Sequence, residues 1–213
     1  MKKLFTLITA MIALNAFAQN SKFEKALMKN VSMMDTASSV ETWQTITNNV
    51  ERMAAAEQKE WLAQYYAGYS NILLGLRQSE NTAKDQYYDR AITFIDKADS
   101  LQPNNSEIYA LRGFVLGVKI GVDPMTRGMS LGPQAGMYSS KAKELNPDNP
   151  RPYMLMGQSA MYTPEQYGGG KAKALPLLET AVEKYKNFKL DNPLMPHWGE
   201  KHAKEILEQC KNM

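Results

Sequence analysis

Small and apolar residues recur along the chain with offsets of four and then three, the spacing that keeps side chains on one face of a helix. Three segments share this stripe: Ala91, Ile95 and Ala98; Ala135, Ser139 and Ala142; and Ala174, Leu178 and Ala181. A proline follows the first two stripes, at Pro103 and Pro147. An aromatic residue with glycine four positions later precedes the second and third stripes: Tyr109 with Gly113, and Tyr153 with Gly157. The pattern predicts paired helices that approach closely at those glycines.

The repeated unit predicts four antiparallel helical pairs, at residues 21–57, 58–105, 106–149 and 150–192, followed by a closing helix within 193–213. Asn104-Asn105-Ser106 and Asp148-Asn149-Pro150 have the capping side chains and first-turn proline that begin helices. A single pair cannot bury its apolar face, so neighbouring pairs must stack. The expected fold is all-α, an α-solenoid of helical hairpins in one domain.

These residues resemble the tetratricopeptide repeat, whose pattern runs from an aromatic residue and a glycine to spaced alanines and a helix-ending proline. The matching positions are Tyr109, Gly113, Ala135, Ala142 and Pro147, then Tyr153, Met156, Gly157, Ala174, Leu178 and Ala181. The resemblance spans roughly residues 58–192. Ser139 departs from it, the third copy lacks its proline, and each hairpin exceeds the family's usual length of about 34 residues.

The family's groove positions map onto the first helices of the pairs and form an apolar, aromatic surface. They are Tyr65, Tyr69, Ala110, Phe114, Met154, Gln158, Met161 and Tyr162. The resemblance implies that this groove binds a protein or an extended peptide, although the basic residues that clamp a peptide carboxylate in some members are missing. The alternative is that these side chains are core, or contacts with the closing helix.

Two connections between paired helices are unusual, at residues 119–134 and 163–171. Ten of the 13 glycines lie between Gly113 and Gly170, and we expect both connections to be ordered loops. Equivalent turns of stacked hairpins emerge at one edge, which predicts a composite site for a small molecule or metal. Its candidate ligand-binding residues are Asp123, Met125, Arg127, Met129, Glu165, Tyr167 and Lys171. The alternative is that the loops pack together only to stabilise the hairpins.

Composition narrows the class of protein. The 213 residues are 44% hydrophobic, which excludes disorder, and the single Cys excludes multi-cysteine metal sites and disulfides. Met1-Lys2-Lys3, an apolar stretch from Leu4 to Leu14 and Ala16-Phe17-Ala18 predict a signal peptide cleaved after Ala18. Without it the chain has 23 basic and 22 acidic residues, a balance that disfavours nucleic acid.

No catalytic group stands out in the sequence. His197 and His202 are five residues apart and do not converge on a helix as a metal pair would. Six of the 14 methionines lie between Met125 and Met161, and their soft sulfur suits Cu(I), although Met also fills irregular cores. We therefore expect a periplasmic or secreted protein without enzymatic activity, cofactor, metal site or membrane-spanning segment. It is predicted to bind a protein or peptide, or alternatively a small molecule or metal at the composite site; its oligomeric state is left open.

Overall fold

The computed structural model describes residues 22–213, and all regular secondary structure within that range is helical, which confirms the all-α class. The proposed signal peptide lies outside the described residues. The elements are α1 at 22–36, α2 at Val40–Ala56, α3 at Trp61–Gly75, α4 at Asn81–Leu101, α5 at Ser106–Val122, α6 at Pro124–Leu145, α7 at Pro150–Tyr162, a 3₁₀ turn at Glu165–Tyr167, α8 at Lys171–Asn187 and α9 at Glu200–Lys211.

Consecutive helices pack as pairs, and the most extensive contacts join α5 to α6, α3 to α4 and α7 to α8. The pairs contact one another through α2 and α3, α4 and α5, α5 and α7, and α6 and α7, while α9 packs on α8. The repeated stripe supplies these interfaces. Ala91, Ile95 and Ala98 on α4 are buried, as are Ala174, Leu178 and Ala181 on α8.

The helix starts follow from local side chains. Asn105 caps α5, its Oδ1 accepting from the backbone N–H of Glu107 at 2.9 Å. Asn149 caps α7 in the same way, accepting from the N–H of Arg151 at 3.0 Å, and Pro150 occupies the first turn, where its missing N–H leaves no bond unmade. These caps fix the first residue of two helices that face the interior.

Two glycines let paired helices approach closely. A Cβ on Gly113 of α5 would lie 2.6 Å from Oγ of Ser139 on α6. A Cβ on Gly157 of α7 would lie 2.7 Å from Cγ and Cδ2 of Leu178 on α8. The two positions are equivalent in successive pairs, so they give a common register along the stack.

The expectation of a loop at 119–134 is wrong. Residues 119–122 continue α5, and after a single break at Asp123 the chain enters α6 at Pro124. Asp123 caps that helix by accepting from the N–H of Thr126 at 3.2 Å. The glycines and the interior Pro133 that suggested a loop are built into a 22-residue helix, because Pro124 suits a first turn and the glycines lie on a face with free space around it. The expected loop at 163–171 is present from 163 to 170.

Glycine-to-alanine substitutions should separate the packed glycines from the open ones. Gly157→Ala forces a methyl into Leu178 and is expected to lower the free energy of unfolding by about 1–3 kcal/mol. Gly128→Ala, on α6 with nothing within 4 Å of its Cβ position, is expected to raise it by about 0.5–1 kcal/mol through helix propensity. Urea unfolding of both variants measures the difference, and a destabilised Gly128→Ala would contradict the assignment of that residue to an open helical face.

Candidate binding site

Part of the predicted peptide groove is occupied by the chain's own C-terminal strap, residues 188–199 between α8 and α9. The indole of Trp198 stacks on Tyr69 of α3 and on Phe114 of α5, with ring centroids 5.3 and 5.4 Å apart. Its Nε1 donates to Oη of Tyr65 at 2.8 Å. Tyr65, Tyr69 and Phe114 are therefore engaged in an aromatic cluster with the strap, which is the packing alternative that the sequence left open.

Hydrogen bonds to the strap's backbone fix its path. The Tyr66 hydroxyl donates to the carbonyl of Leu194 at 2.9 Å, and the Tyr185 hydroxyl donates to that of Trp198 at 3.1 Å. His197 Nε2 lies 2.9 Å from Oδ1 of Asp35, in the last turn of α1. Burial raises the pKa values of Tyr66 and Tyr185 above that of an ordinary tyrosine, so both hydroxyls remain protonated donors. The strap thus ties α1, α3 and α8 to one segment.

A buried ion pair holds the middle of the strap. Arg151 at the start of α7 is fully buried, and its Nη1 donates to Oε1 of Glu107 on α5 at 2.9 Å. Nη2 of Arg151 donates to the carbonyl of Pro196, and the guanidinium lies 5.2 Å and 5.1 Å from the ring centroids of Phe188 and Trp198. Asn149 also donates to Oε1 of Glu107 at 3.0 Å. Burial raises the pKa of Glu107, and the charge of Arg151 opposes that rise.

The remaining groove candidates lie on α7 and differ in exposure. Met154 is 1% exposed and belongs to the core. Gln158 Oε1 lies 3.3 Å from Nε2 of His202 on α9. Tyr162, at the end of α7, is 67% exposed, so the open part of this surface is at the carboxyl ends of the first helices.

The charged candidates of the composite site have structural partners. Arg127 makes a bidentate pair with Asp85 of α4, both N–O distances being 2.6 Å, and also donates to the carbonyl of Lys119. The hydrogen bonds from Arg127 keep the pKa of Asp85 below its ordinary value. Lys171 Nζ donates to the carbonyl of Lys211 at the end of α9. Arg127 therefore stabilises the α4–α6 contact, and its guanidinium is already bonded to a carboxylate of the same chain.

Backbone geometry accounts for the three glycines before α8. Gly168 and Gly170 have φ of 82° and 90°, a left-handed conformation that glycine adopts without strain. A Cβ on Gly169 would lie 2.0 Å from the carbonyl oxygen of Thr163. The N–H of Gly170 donates to the carbonyl of Ala160 at 2.8 Å, so it is already engaged. These glycines form a tight turn.

Five other glycines form the most distinctive surface, which we call the glycine face: Gly117 and Gly121 on α5, with Gly128, Gly132 and Gly136 on α6. A Cβ at any of these positions would have no atom within 4 Å. Gly117 and Gly121 follow the buried Ala110 by seven and eleven residues, which places all three on one side of α5. Ala110 packs in the core formed with α7 and α8, so the bare side of α5 is turned toward the fourth helical pair.

Gly132 and Gly136, on the α6 part of the glycine face, are turned the same way, whereas Gly128 precedes Ala135 and Ser139 by seven and eleven residues and lies on the side of α6 that faces α5. Lys143 Nζ lies 5.9 Å from the ring centroid of Tyr153 on α7. Met125 precedes Lys143 by 18 residues, or five full turns, and therefore projects from the same side of α6. Met129, Gly132 and Gly136 follow Met125 by four, seven and eleven residues, so they share its stripe.

The third helical pair is longer than the fourth, so Gly121 and Gly128 lie beyond the end of the fourth pair. Val122 ends α5 nine residues after Gly113, whereas Tyr162 ends α7 five residues after the equivalent Gly157. On the second helices, α6 begins 15 residues before Ser139, and α8 begins seven residues before Leu178. The eight extra residues of α6 project about 12 Å beyond α8 at 1.5 Å per residue. The result is a step, and the glycine face runs from its wall onto the turns beside the fourth pair.

Apolar side chains border this step. Met125 and Met129 are 92% and 91% exposed, and Tyr167 of the following turn is 76% exposed. Tyr162, at the end of α7, is 67% exposed. The two sequence-predicted segments thus contribute exposed apolar side chains, and Met125, Met129 and Tyr167 are among the candidates that the sequence indicated.

The described residues contain no conventional metal centre. Within residues 22–213, no three His, Cys, Asp or Glu side chains are grouped as a bound metal ion requires. Cys210 is buried on α9. No helix in that range is both long and apolar enough to cross a bilayer.

Comparison with known proteins identifies one informative relative. The chain matches no protein-family model, and none of the curated proteins matches it. Among solved structures it is similar to the HusA haemophore from Porphyromonas gingivalis, with a TM-score of 0.80 and 34% sequence identity over 89% of this chain and 93% of that one. A haemophore is a binding protein, and the prediction that this chain is not an enzyme is confirmed.

The buried ion pair should behave as one unit in a double-mutant cycle. Arg151→Met leaves the Glu107 carboxylate buried without its cation. This variant is expected to lower the free energy of unfolding by about 3–5 kcal/mol at pH 7. Adding Glu107→Gln to that variant removes the uncompensated charge and should restore part of the loss. Urea unfolding measures each step.

The pH dependence of the single variant provides a second check. Without Arg151 the pKa of Glu107 rises further, because the charge that opposed the effect of burial is gone. The pKa of this carboxyl is higher in the folded protein than the value of 4.5 that it has in the unfolded chain. Its contribution to stability is therefore complete below pH 4.5 and is lost as the pH rises through the pKa of the folded state. The deficit of Arg151→Met should therefore grow from pH 4.5 to 7, and a deficit independent of pH would contradict this account.

Proposed function

The chain belongs to the family of the HusA haemophore, and from this relationship together with the glycine face we propose that it is an extracytoplasmic binding protein for haem. The observation that carries the proposal is the glycine face, whose five glycines have free space around them and are bordered by exposed Met and Tyr side chains. A flat, apolar macrocycle gains contact area where backbone is bare and side chains do not intervene.

The proposed site binds the macrocycle chiefly by apolar contact. Both histidines have partners away from the glycine face: His197 contacts Asp35, and His202 contacts Gln158. Met125 and Met129 bring apolar surface to the glycine face, and a thioether is also a ligand type that haem iron accepts. Because contact area dominates in this arrangement, we expect the metal-free porphyrin to bind as well.

Lys173 is suited to the carboxylates of haem. It is exposed on the first turn of α8, and its Nζ lies 3.8 Å from the Cβ position of Gly168, beside Tyr167. Lys171, the candidate named by the sequence, is the less available of the two because it is bonded to the carbonyl of Lys211.

Three finer features complete the proposal. The helical pairs stack in the manner of a tetratricopeptide-like solenoid, supported by the equivalent contacts of Gly113 and Gly157. The signal peptide predicted at residues 1–18 directs the chain to the periplasm or the exterior, which suits a relative of a haemophore. Protein or peptide binding in the groove is the weaker candidate, because Trp198 occupies the surface formed by Tyr69 and Phe114.

Filling the glycine face should abolish binding without unfolding the protein. We expect haemin and protoporphyrin IX to bind the mature protein in absorbance and fluorescence titrations, and Gly136→Leu, on the stripe of Met125, to raise both Kd values about tenfold or more by obstructing the glycine face. Leucine favours helix over glycine, so thermal stability should not fall. The matched control is Gln134→Leu, which adds the same side chain to another side of α6. Equal effects of the two variants would refute this location, and failure of the wild-type protein to bind either porphyrin would refute the function.

Removing the proposed carboxylate partner should have a smaller effect that depends on salt. Lys173→Ala is expected to weaken haemin binding about two- to fivefold at low ionic strength and less at high salt, as an exposed ion pair should. Lys186→Ala, near the other end of α8, is the control. Binding of protoporphyrin IX dimethyl ester, which lacks free carboxylates, should be unaffected by Lys173→Ala; an equal loss for the ester would exclude the proposed pairing.

A further inference from the structure

Met125 and Met129 are unusual in being almost wholly exposed. Their exposed fractions, 92% and 91%, are the largest among the exposed large hydrophobic side chains of the described residues. They are separated by one helical turn, so their side chains are neighbours on α6. Met154 and Met161 are buried, at 1% and 8% exposure, as a core role requires. Packing of the protein's interior therefore does not account for the exposed pair.

Thioethers at such positions are open to oxidation. A two-electron oxidant such as hydrogen peroxide transfers one oxygen atom to the sulfur: the O–O bond breaks, an S–O bond forms, and water is released. The thioether becomes a sulfoxide and the peroxide is reduced. Accessibility favours this reaction at Met125 and Met129 over the buried methionines.

The product changes the chemistry of the glycine face. A sulfoxide is polar and accepts hydrogen bonds, whereas the thioether is a flexible apolar group. An apolar macrocycle that covers the sulfoxide would remove its hydrating water and provide no hydrogen-bond donor in return. This desolvation destabilises the complex and leaves the free protein unaffected. The free protein, in which both side chains lie in solvent, would keep its stability.

We propose that Met125 and Met129 form a peroxide-sensitive modification site whose oxidation to sulfoxide weakens binding at the glycine face. This inference rests on the proposed function, since the affected ligand is haem. It adds a means of regulation: an oxidising environment lowers affinity at a surface that is otherwise rigid helix.

The test combines mass spectrometry with binding. The mature protein is treated with hydrogen peroxide in the absence of ligand, the peroxide is removed, and methionine peptides are followed for the addition of one oxygen. Met125 and Met129 should be oxidised before Met154 and Met161. The Kd for protoporphyrin IX, which has no iron to react with residual peroxide, should rise about tenfold or more, the effect of burying an unpartnered polar group.

Leucine variants supply the controls, because leucine keeps the apolar volume and resists oxidation. Both methionines belong to the proposed site, so the Kd of Met125→Leu/Met129→Leu is measured before and after peroxide, and peroxide should not change it. Met137→Leu replaces a 56% exposed methionine outside the stripe of the pair and should remain peroxide-sensitive.

The outcomes distinguish this inference from the proposed function. An untreated protein that binds no porphyrin overturns the function, and this inference with it. A protein that binds porphyrin equally well with both methionines oxidised overturns this inference and leaves the function intact. Equal loss of affinity in the double leucine variant after peroxide assigns the effect to another residue and also overturns it.

Discussion

The buried pair of Arg151 and Glu107 is the interaction on which the arrangement of this molecule depends. Removing two charges from water costs several kcal/mol for each ion, which only good geometry and additional hydrogen bonds can offset. Those bonds come from Asn149 and from the Pro196 carbonyl. The pair therefore joins α5, the start of α7 and the strap at one point, and displacing any of the three would break one of these contacts.

From that point the surface formed by the first helices of the pairs divides into two unlike halves. Near the ion pair, the strap covers the first helices, and Trp198 closes the gap between Tyr69 and Phe114. Toward the carboxyl ends of the same helices the surface is open and bare at Gly117 and Gly121. Structural residues are thus concentrated at one end, and ligand contact is proposed for the other.

Periodicity in the sequence was enough to predict the helical class and the close approach at Gly113 and Gly157, because these depend on residues near one another in the chain. It failed at 119–134, where Gly128, Gly132 and Pro133 indicated a loop. Composition cannot distinguish a loop from a helix whose glycines serve a bare surface, since the same residues suit both. That segment contributes to the candidate site as helix.

The strap and the ion pair were missed for a different reason: both depend on contacts between residues far apart in sequence, such as Trp198 with Tyr65. One local signal was available. Arg151 lies in the first turn of a helix, where the macrodipole disfavours a cation, and such a placement indicates a compensating anion elsewhere. Proximity in sequence also did not predict exposure. Met125 and Arg127 are two residues apart, yet Met125 lies in solvent and Arg127 is bonded to Asp85 on another helix.

The path of the strap also bears on how the chain reaches its native state. In repeat proteins each unit contacts only its neighbours, so folding can start locally and spread, and terminal units can fray independently. Here the last 26 residues supply partners to Asp35, Tyr65 and Tyr66 near the beginning, which lengthens the sequence separation of key contacts and slows their formation. The first helices therefore cannot complete their packing until the C-terminus has been synthesised.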